Sequence, residues 1–260
     1  MREEQSNVET DLHTLLNYDE PINAHFKACI FHVSRCGSTL LTQMLAQSPR
    51  NIVLSEPTII NDILLSTLPE ELKKHAIKKS MRLLGTRMNR YEEHLIVKLD
   101  SWHILFLNLI KACFPEVRII FLFRDPLGVI QSHRIQRGYQ MVSGHLNLNM
   151  VNETVPNWDL DGYTIKVLER FYETISEQSG EADLLMDYSE LPDGLHVVLE
   201  KSGMSFSEEE KRNMLQRAAY HSKNRTKPIR GYTSEEYSGG PETERLQAIY
   251  QRLLKKIDDT

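Results

Sequence analysis

The sequence predicts an α/β fold, a three-layer sandwich in which a central, mostly parallel sheet is flanked by helices. Short apolar runs that are typical of strands alternate along the chain with longer stretches of helical periodicity. One run, VRIIFLF at 117–123, is almost entirely apolar and rich in β-branched residues, as in strands that are buried on both faces of a parallel sheet.

Length and composition limit the class of protein. The chain has 260 residues, which suit a single domain over 1–260 with an N-terminal extension over 1–27. Its formal net charge of −5 argues against a broad nucleic-acid-binding surface. We expect no nucleic-acid partner, and the oligomeric state stays open.

The cysteines and the N-terminus indicate a cytoplasmic protein. The three cysteines are scattered, odd in number and without metal-ligand spacing, as expected for reduced thiols. The polar start, MREEQSNVETD, is not a signal peptide, and no apolar run is long enough to span a bilayer. We therefore expect no membrane partner.

The elements of the first half follow from the spacing of apolar residues. Continuous apolar runs predict strands, and apolar residues repeated every three or four positions predict helices. Three strands are expected, at 28–33, 52–54 and 94–99. Helices are expected at 12–16, after residue 39, across 58–90 and at 102–113.

The second half continues the alternation. Strands are expected at 117–123 and 183–186, and helices at 126–137, 161–179, up to about 201, 207–220 and 243–257. Asp125 is suited to cap a helix that has Pro126 at its first position. The segment 138–160 has no clear period, and we expect it to form a mobile loop.

The most informative motif is the turn 34–39, SRCGST, between the first strand and the next helix. A helix N-terminus offers unpaired N–H groups and a partial positive charge to an anion. Arg35 adds a full charge, and Ser38 and Thr39 add hydroxyl donors. Because no lysine follows Gly37, the turn favours a ligand with one or two phosphate or sulfate groups over a Mg-bound triphosphate.

Cys36 lies within this turn and has two interpretations. A helix N-terminus lowers the pKa of a thiol, which would make Cys36 reactive. The alternative is a small residue that occupies the place of a serine.

A second anion site is predicted at the end of the strand 117–123. The strand delivers Arg124 to the edge where open α/β sheets bind ligands. Ser132 lies on the same helix face as Asp125, so it can point toward the space near Arg124. A guanidinium and a hydroxyl suit a phosphate monoester, although a local Arg124–Asp125 ion pair fits this segment equally well.

Taken together, the two segments resemble the sulfotransferase family, which uses 3′-phosphoadenosine-5′-phosphosulfate (PAPS) as donor. The family's 5′-phosphosulfate loop is matched in order by Arg35, Cys36, Gly37, Ser38 and Thr39. Its 3′-phosphate motif is matched by Arg124, Pro126 and Ser132. The form R-x-G-S-T-L-L is closer to carbohydrate-type and bacterial members than to cytosolic ones.

The resemblance covers about residues 28–230 and implies the P-loop NTPase-like sulfotransferase fold. A weaker match at 187–191, DYSEL, implies that Tyr188 contacts the adenosine, although Ser189 replaces the usual glutamate. Relatives close a late basic loop over the 3′-phosphate, and the matching residues here are Lys223, Arg225 and Lys227.

The implied activity is transfer of a sulfuryl group from PAPS to a hydroxyl or amine, with adenosine 3′,5′-bisphosphate (PAP) as product and no metal. The acceptor is expected to be a small molecule or a glycan, and the sequence does not identify it. Two alternatives remain: a P-loop small-molecule kinase that binds MgATP, and a catalytically inactive nucleotide-binding relative.

The acceptor needs a base within hydrogen-bond reach. Glu56 lies where carbohydrate-type relatives place a catalytic glutamate, and Asp100 lies where cytosolic relatives place a histidine. His103 is a third candidate, and we rank the three in that order. Lys98 and Arg35 are candidates for stabilising charge on the oxygen that bridges to the leaving phosphate.

Overall fold

A computed structural model of the chain describes residues 11–18, 23–146, 155–156, 158–219 and 239–258. Its centre is a five-stranded sheet in which all neighbouring strands are parallel, in the order β2-β3-β1-β4-β5. The strands are β1 (His25–His32), β2 (Asn51–Ser55), β3 (His94–Lys98), β4 (Arg118–Phe123) and β5 (Leu184–Asp187). Helices flank this sheet, so the predicted α/β class is confirmed.

The helices alternate with the strands along the chain. In the first half they are α1 (Leu12–Asn17), α2 (Ser38–Leu45), α3 (Thr58–Leu65), α4 (Glu70–Leu84) and α5 (Leu107–Cys113). In the second half they are α6 (Pro126–Ile135), α7 (Leu160–Glu177), α8 (Leu195–Lys201), α9 (Glu208–Arg217) and α10 (Glu244–Asp258). None of the helices in the described ranges combines the length and the apolar surface that crossing a bilayer requires.

The core explains the composition of the central strands. The side chains of β4 from Ile119 to Phe123 are all buried, as the apolar run predicted. Phe31 of β1 meets Phe121 of β4 edge to face, with ring centroids 5.8 Å apart. Because both faces of the sheet are covered, the polar groups of the central strands reach solvent only at the strand ends.

The strand order determines where the site forms. β1 lies between β3 and β4, with Ile30 paired to Lys98 and His32 paired to Leu122. The carboxyl ends of these three strands therefore meet at one edge of the sheet, and the turns that follow them are neighbours in space.

The segment 102–113, predicted as one helix, is divided in the structure. Residues Ser101–Phe106 form a 3-10 helix, and the α-helix begins only at Leu107. The Oδ1 atom of Asn61 accepts a hydrogen bond from Trp102 Nε1 at 2.8 Å and lies 3.2 Å from His103 Nε2. These bonds to one amide oxygen hold the two side chains together and favour the tighter turn.

Candidate active site

The turn between β1 and α2 has an uncommon backbone. Ser34, Arg35 and Gly37 have φ angles of 75°, 51° and 80°, in the left-handed region. Non-glycine residues rarely adopt this conformation unless the surrounding structure imposes it. The turn leads directly into α2, which has no side-chain hydrogen bond at its N-cap, Gly37, so its first N–H groups are available to an anion.

The side chains of this turn point in different directions. The Arg35 guanidinium donates from Nη2 to the carbonyl of Gln136, at the end of α6, over 2.6 Å. Cys36 is fully buried and donates from Sγ to the carbonyl of Leu122. Ser38 is buried at the first position of α2, and Thr39 is half-buried beside it.

Burial decides between the two interpretations of Cys36. Removal from water raises the pKa of its thiol to about 12, which outweighs the nearby helix N-terminus. The reactive-thiol interpretation is therefore wrong. The side chain is a small core residue, and Cys36 offers a ligand only its main chain.

Tyr188 covers the glycine of the turn. A Cβ atom built on Gly37 would lie 2.5 Å from Tyr188 Cδ2, closer than two carbon atoms can approach. The same ring stacks with Arg124, whose guanidinium carbon lies 4.6 Å from the ring centroid. Gly37, Tyr188 and Arg124 therefore form one packed unit.

We expect Gly37→Ala to destabilise the fold by about 2 to 4 kcal/mol. About 1 to 2 kcal/mol follows from the left-handed φ angle, and the remainder from the collision with Tyr188. Gly144→Ala is the matched control, because Gly144 also has a positive φ of 77° but has nothing within 4 Å of an added Cβ. Urea unfolding should show a clearly smaller loss for the control, and equal losses would contradict the contact.

Arg124, of the second predicted anion site, contacts the turn of the first. Its Nη1 atom donates to the carbonyl of Arg35 over 3.3 Å, and a Cβ atom on Gly128 would lie 3.1 Å from its Nε. Ser132 lies one turn further along α6 and is half-buried. The guanidinium therefore lies between the turn after β1 and the first turn of α6.

Asp125 does not form the alternative ion pair with Arg124. Its Oδ2 atom accepts from the N–H of Gly128 over 3.0 Å and caps α6, as predicted. Its Oδ1 atom accepts from Gln247 Nε2 of α10 over 3.3 Å. No ion pair joins the described side chains of Arg124 and Asp125, so the guanidinium is not neutralised by its neighbour.

The helix α10 also holds the turn that carries Tyr188. The hydroxyl of Tyr250 donates to Asp187 Oδ2 over 3.0 Å, and Asp187 Oδ1 accepts from the N–H of Ser189 over 2.8 Å. Helix α10 thus holds Asp125, which follows Arg124, and Asp187, which precedes Tyr188.

A charged cluster follows the ends of β2 and β3. The Nζ atom of Lys98 lies 2.8 Å from Glu56 Oε1, with side chains 4% and 43% exposed respectively. The N–H of Glu56 donates to the carbonyl of Lys98 over 2.7 Å, and Glu56 has a left-handed φ of 54°. A buried ammonium therefore fixes a carboxylate that is still open to an incoming molecule.

Asp100 and His103 have strongly perturbed pKa values. Burial, assisted by the charge of Glu56 and opposed by Lys98, raises the pKa of Asp100 to about 7. Burial lowers the pKa of His103 to about 3. The His103 ring is enclosed, with Nδ1 accepting from the N–H of Asp100 over 3.3 Å, so it is poorly placed to take a proton from an acceptor.

The raised pKa of Asp100 makes stability depend on pH. The folded protein keeps a proton on this carboxyl that the unfolded chain releases above its ordinary pKa of 3.8, so this contribution is lost as pH rises through 7. Asparagine cannot ionise. We therefore expect the free energy of unfolding of Asp100→Asn, relative to that of the wild type, to increase by about 1 to 2 kcal/mol between pH 5.5 and 8. Urea unfolding at both pH values measures it, and a constant difference would contradict the raised pKa.

Sequence reasoning missed two buried side chains, His32 and Gln140, that link the parts of the site. The signal for His32 was a single polar residue at the end of an apolar strand. Gln140 gave no signal, because it lies in the aperiodic segment 138–160. Trp158, in the same segment, is exposed.

Some predicted site residues lie outside the described ranges. These are Lys223, Arg225 and Lys227, so their role over a 3′-phosphate stays a prediction. Within the described ranges, no group of three or more His, Cys, Asp or Glu side chains is arranged to hold a metal ion.

Comparison with known proteins identifies the fold. No family model matches the chain, and no curated protein matches its sequence. Sulfotransferase STF1 from Mycobacterium tuberculosis superimposes with a TM-score of 0.53 at 11% identity, covering 89% of this chain and 77% of its own. STF9 from Mycobacterium avium gives a TM-score of 0.53 at 11% identity, covering 95% and 79%.

A third solved structure gives the same result over almost its whole length. The sulfotransferase domain of the Synechococcus olefin synthase superimposes with a TM-score of 0.50 at 14% identity, covering 93% of this chain and 97% of that domain. At such low identities the likeness concerns architecture. The chain therefore has the fold of the bacterial sulfotransferases, as the resemblance in its two anion-binding motifs implied.

Proposed function

We propose that this protein is a PAPS-dependent sulfotransferase that transfers a sulfuryl group to a hydroxyl or amine of a small molecule or glycan. The observation that carries the proposal is the contact between Arg124 Nη1 and the carbonyl of Arg35. It joins the two turns that are predicted to bind anions, at the ends of neighbouring strands. A nucleotide with charged groups at both its 3′ and 5′ positions suits these two turns.

The nucleotide would lie across the packed unit of Gly37, Tyr188 and Arg124. The main-chain N–H groups at the start of α2 and the Ser38 and Thr39 hydroxyls would face the 5′-phosphosulfate. Arg124 and Ser132 would bind the 3′-phosphate, as a guanidinium and a hydroxyl suit a monoester. Tyr188 offers an aromatic face between them for the adenosine.

The reaction would be an in-line displacement at sulfur. A bond forms between the acceptor oxygen or nitrogen and sulfur while the bond from sulfur to the bridging oxygen breaks, leaving the electron pair on PAP. Negative charge grows on the bridging oxygen, where the donors at the start of α2 can stabilise it. Arg35 and Lys98 are cations at this edge of the sheet that would help to stabilise the same charge.

The acceptor proton needs a base, and Glu56 is the residue that we assign. Its carboxylate is accessible, whereas the side chain of Asp100 is only 13% exposed. The 2.8 Å contact with Lys98 holds Glu56 in one orientation, which a base that acts on a bound acceptor requires. Asp100, next to this pair, would tune the charge of the cluster.

A thermal-shift comparison tests the donor. At a hundredfold excess over its dissociation constant, PAP should stabilise the protein by about 2.7 kcal/mol, which raises the melting temperature by about 5 to 10 °C. MgATP at the same concentration should give a smaller shift, because the turn after β1 has no lysine after Gly37. A larger shift with MgATP would favour a P-loop kinase instead.

Activity is tested with labelled PAPS and a metabolite extract. Mass spectrometry should detect an acceptor that gains a sulfuryl group. Binding of PAP without any transfer would favour an inactive relative.

We propose that the enzyme works in the cytoplasm, where thiols such as the buried Cys29 and Cys113 stay reduced.

A further inference from the structure

His32 is a polar residue at the end of an apolar strand. It is the last residue of β1 and is almost completely buried. Burying an imidazole costs free energy unless both of its nitrogen atoms find partners. Both partners are main-chain groups, and each belongs to a different part of the candidate active site.

The partners determine the tautomer of the ring. Nδ1 lies 3.0 Å from the nitrogen of Ser34, and a main-chain N–H can only donate, so Nδ1 accepts. Nε2 lies 3.0 Å from the carbonyl of Leu99, so it carries the proton and donates. Burial and the charge of Lys98 lower the pKa of His32 to about 3, which keeps this neutral form at physiological pH.

A second buried link runs in parallel. Gln140 Nε2 donates to the hydroxyl of Ser34 over 3.0 Å and to the hydroxyl of Ser101 over 3.3 Å. Ser34 is therefore attached through both its main chain and its side chain to the segment 99–101. This attachment supplies the constraint that its left-handed φ of 75° requires.

The His32 ring also borders the charged cluster. Its Nε2 atom lies 3.8 Å from Glu56 Oε1, the atom that pairs with Lys98. One buried ring thus touches the turn after β1, the segment after β3 and the carboxylate after β2. These three parts must hold the donor, the leaving group and the acceptor in a common geometry.

We infer that His32 is a positioning residue, which sets the turn that binds the 5′-phosphosulfate relative to the carboxylates that face the acceptor. This inference rests on the proposed function. The Ser34 bond is the more important of its two contacts, because it controls where the following N–H groups point.

A pair of substitutions separates the two contacts. The side-chain amide of asparagine reaches about as far as Nδ1 and keeps an acceptor for the N–H of Ser34. The side-chain amide of glutamine reaches about as far as Nε2 and keeps a donor for the carbonyl of Leu99. We expect His32→Asn to bind PAP within threefold of the wild type, and His32→Gln to bind about tenfold more weakly. Titration calorimetry measures the affinity, and urea unfolding checks that both variants are folded and similar in stability.

A readout without nucleotide keeps the inference testable by itself. Hydrogen exchange of the Ser34 amide, followed in the ligand-free protein, should accelerate at least tenfold in His32→Gln and stay close to wild type in His32→Asn. Equal exchange in the two variants, or equal PAP affinity, would overturn the role of His32. A wild-type protein that does not bind PAP, yet shows the expected exchange difference, would overturn the proposed function alone.

Discussion

Replacing Arg124 with alanine is expected to remove most of the stabilisation that PAP gives to the protein. Arg124 joins its own turn to the turn after β1 through the carbonyl of Arg35, and its guanidinium is not neutralised by Asp125. Hydrogen bonds to charged groups contribute about 1.5 to 3 kcal/mol each, so the dissociation constant should rise about 10- to 100-fold. Calorimetric titration with PAP measures this directly.

Arg118→Ala is the matched control for Arg124→Ala. Arg118 is the first residue of β4, and Arg124 follows the last residue of the same strand. Arg118 makes an exposed ion pair with Asp183 at 2.7 Å. Arg118→Ala removes one positive charge, as Arg124→Ala does, but at the opposite end of β4. PAP affinity should therefore change less than threefold. Arg124→Lys should lie between alanine and wild type, since lysine keeps the charge but loses the planar fork. Wild-type affinity in Arg124→Ala would remove the 3′-phosphate site.

Replacing Glu56 with glutamine is expected to lower the rate of sulfuryl transfer by about 10²- to 10⁴-fold. Glutamine fills the same space but cannot take a proton from the acceptor. The rate is measured with the acceptor that the labelled-PAPS screen identifies. PAP affinity should stay within threefold, because the carboxylate faces the acceptor side of the site.

Asp100→Asn is the matched variant for the role of base. It removes the second carboxylate of the same cluster, and we expect a loss of less than tenfold. It should also remove any change in rate that follows the ionisation of Asp100 near pH 7. A larger loss in Asp100→Asn than in Glu56→Gln would assign the base to Asp100 instead.

The strands and most helices could be predicted because their signal is local. The apolar run of β4 and the capping box of Ser207 and Glu210 both depend on residues within a few positions of each other. The division of 102–113 could not be predicted, because Asn61 lies 41 residues from Trp102, to which it is bonded. The start of β1 at His25, three residues earlier than expected, likewise depends on pairing with His94 of β3.

The site shows the same limit. Spacing indicated the turn at 34–39 and Arg124, since each follows a strand, and the resemblance to the sulfotransferase family indicated the carboxylates Glu56 and Asp100. It did not indicate which carboxylate would meet Lys98, or that Arg35 would reach the end of α6. These contacts depend on the strand order, which places β3 and β4 on either side of β1.

The hydrogen bonds from α10 to Asp125 and Asp187 can form only after the residues of the central sheet have been synthesised. All five strands that the structure describes precede residue 188, whereas α10 begins at Glu244. A growing chain can therefore close its sheet on the ribosome while the supports beneath Arg124 and Tyr188 are still missing. The proposed nucleotide site would then be complete only after α10 docks onto Asp125 and Asp187.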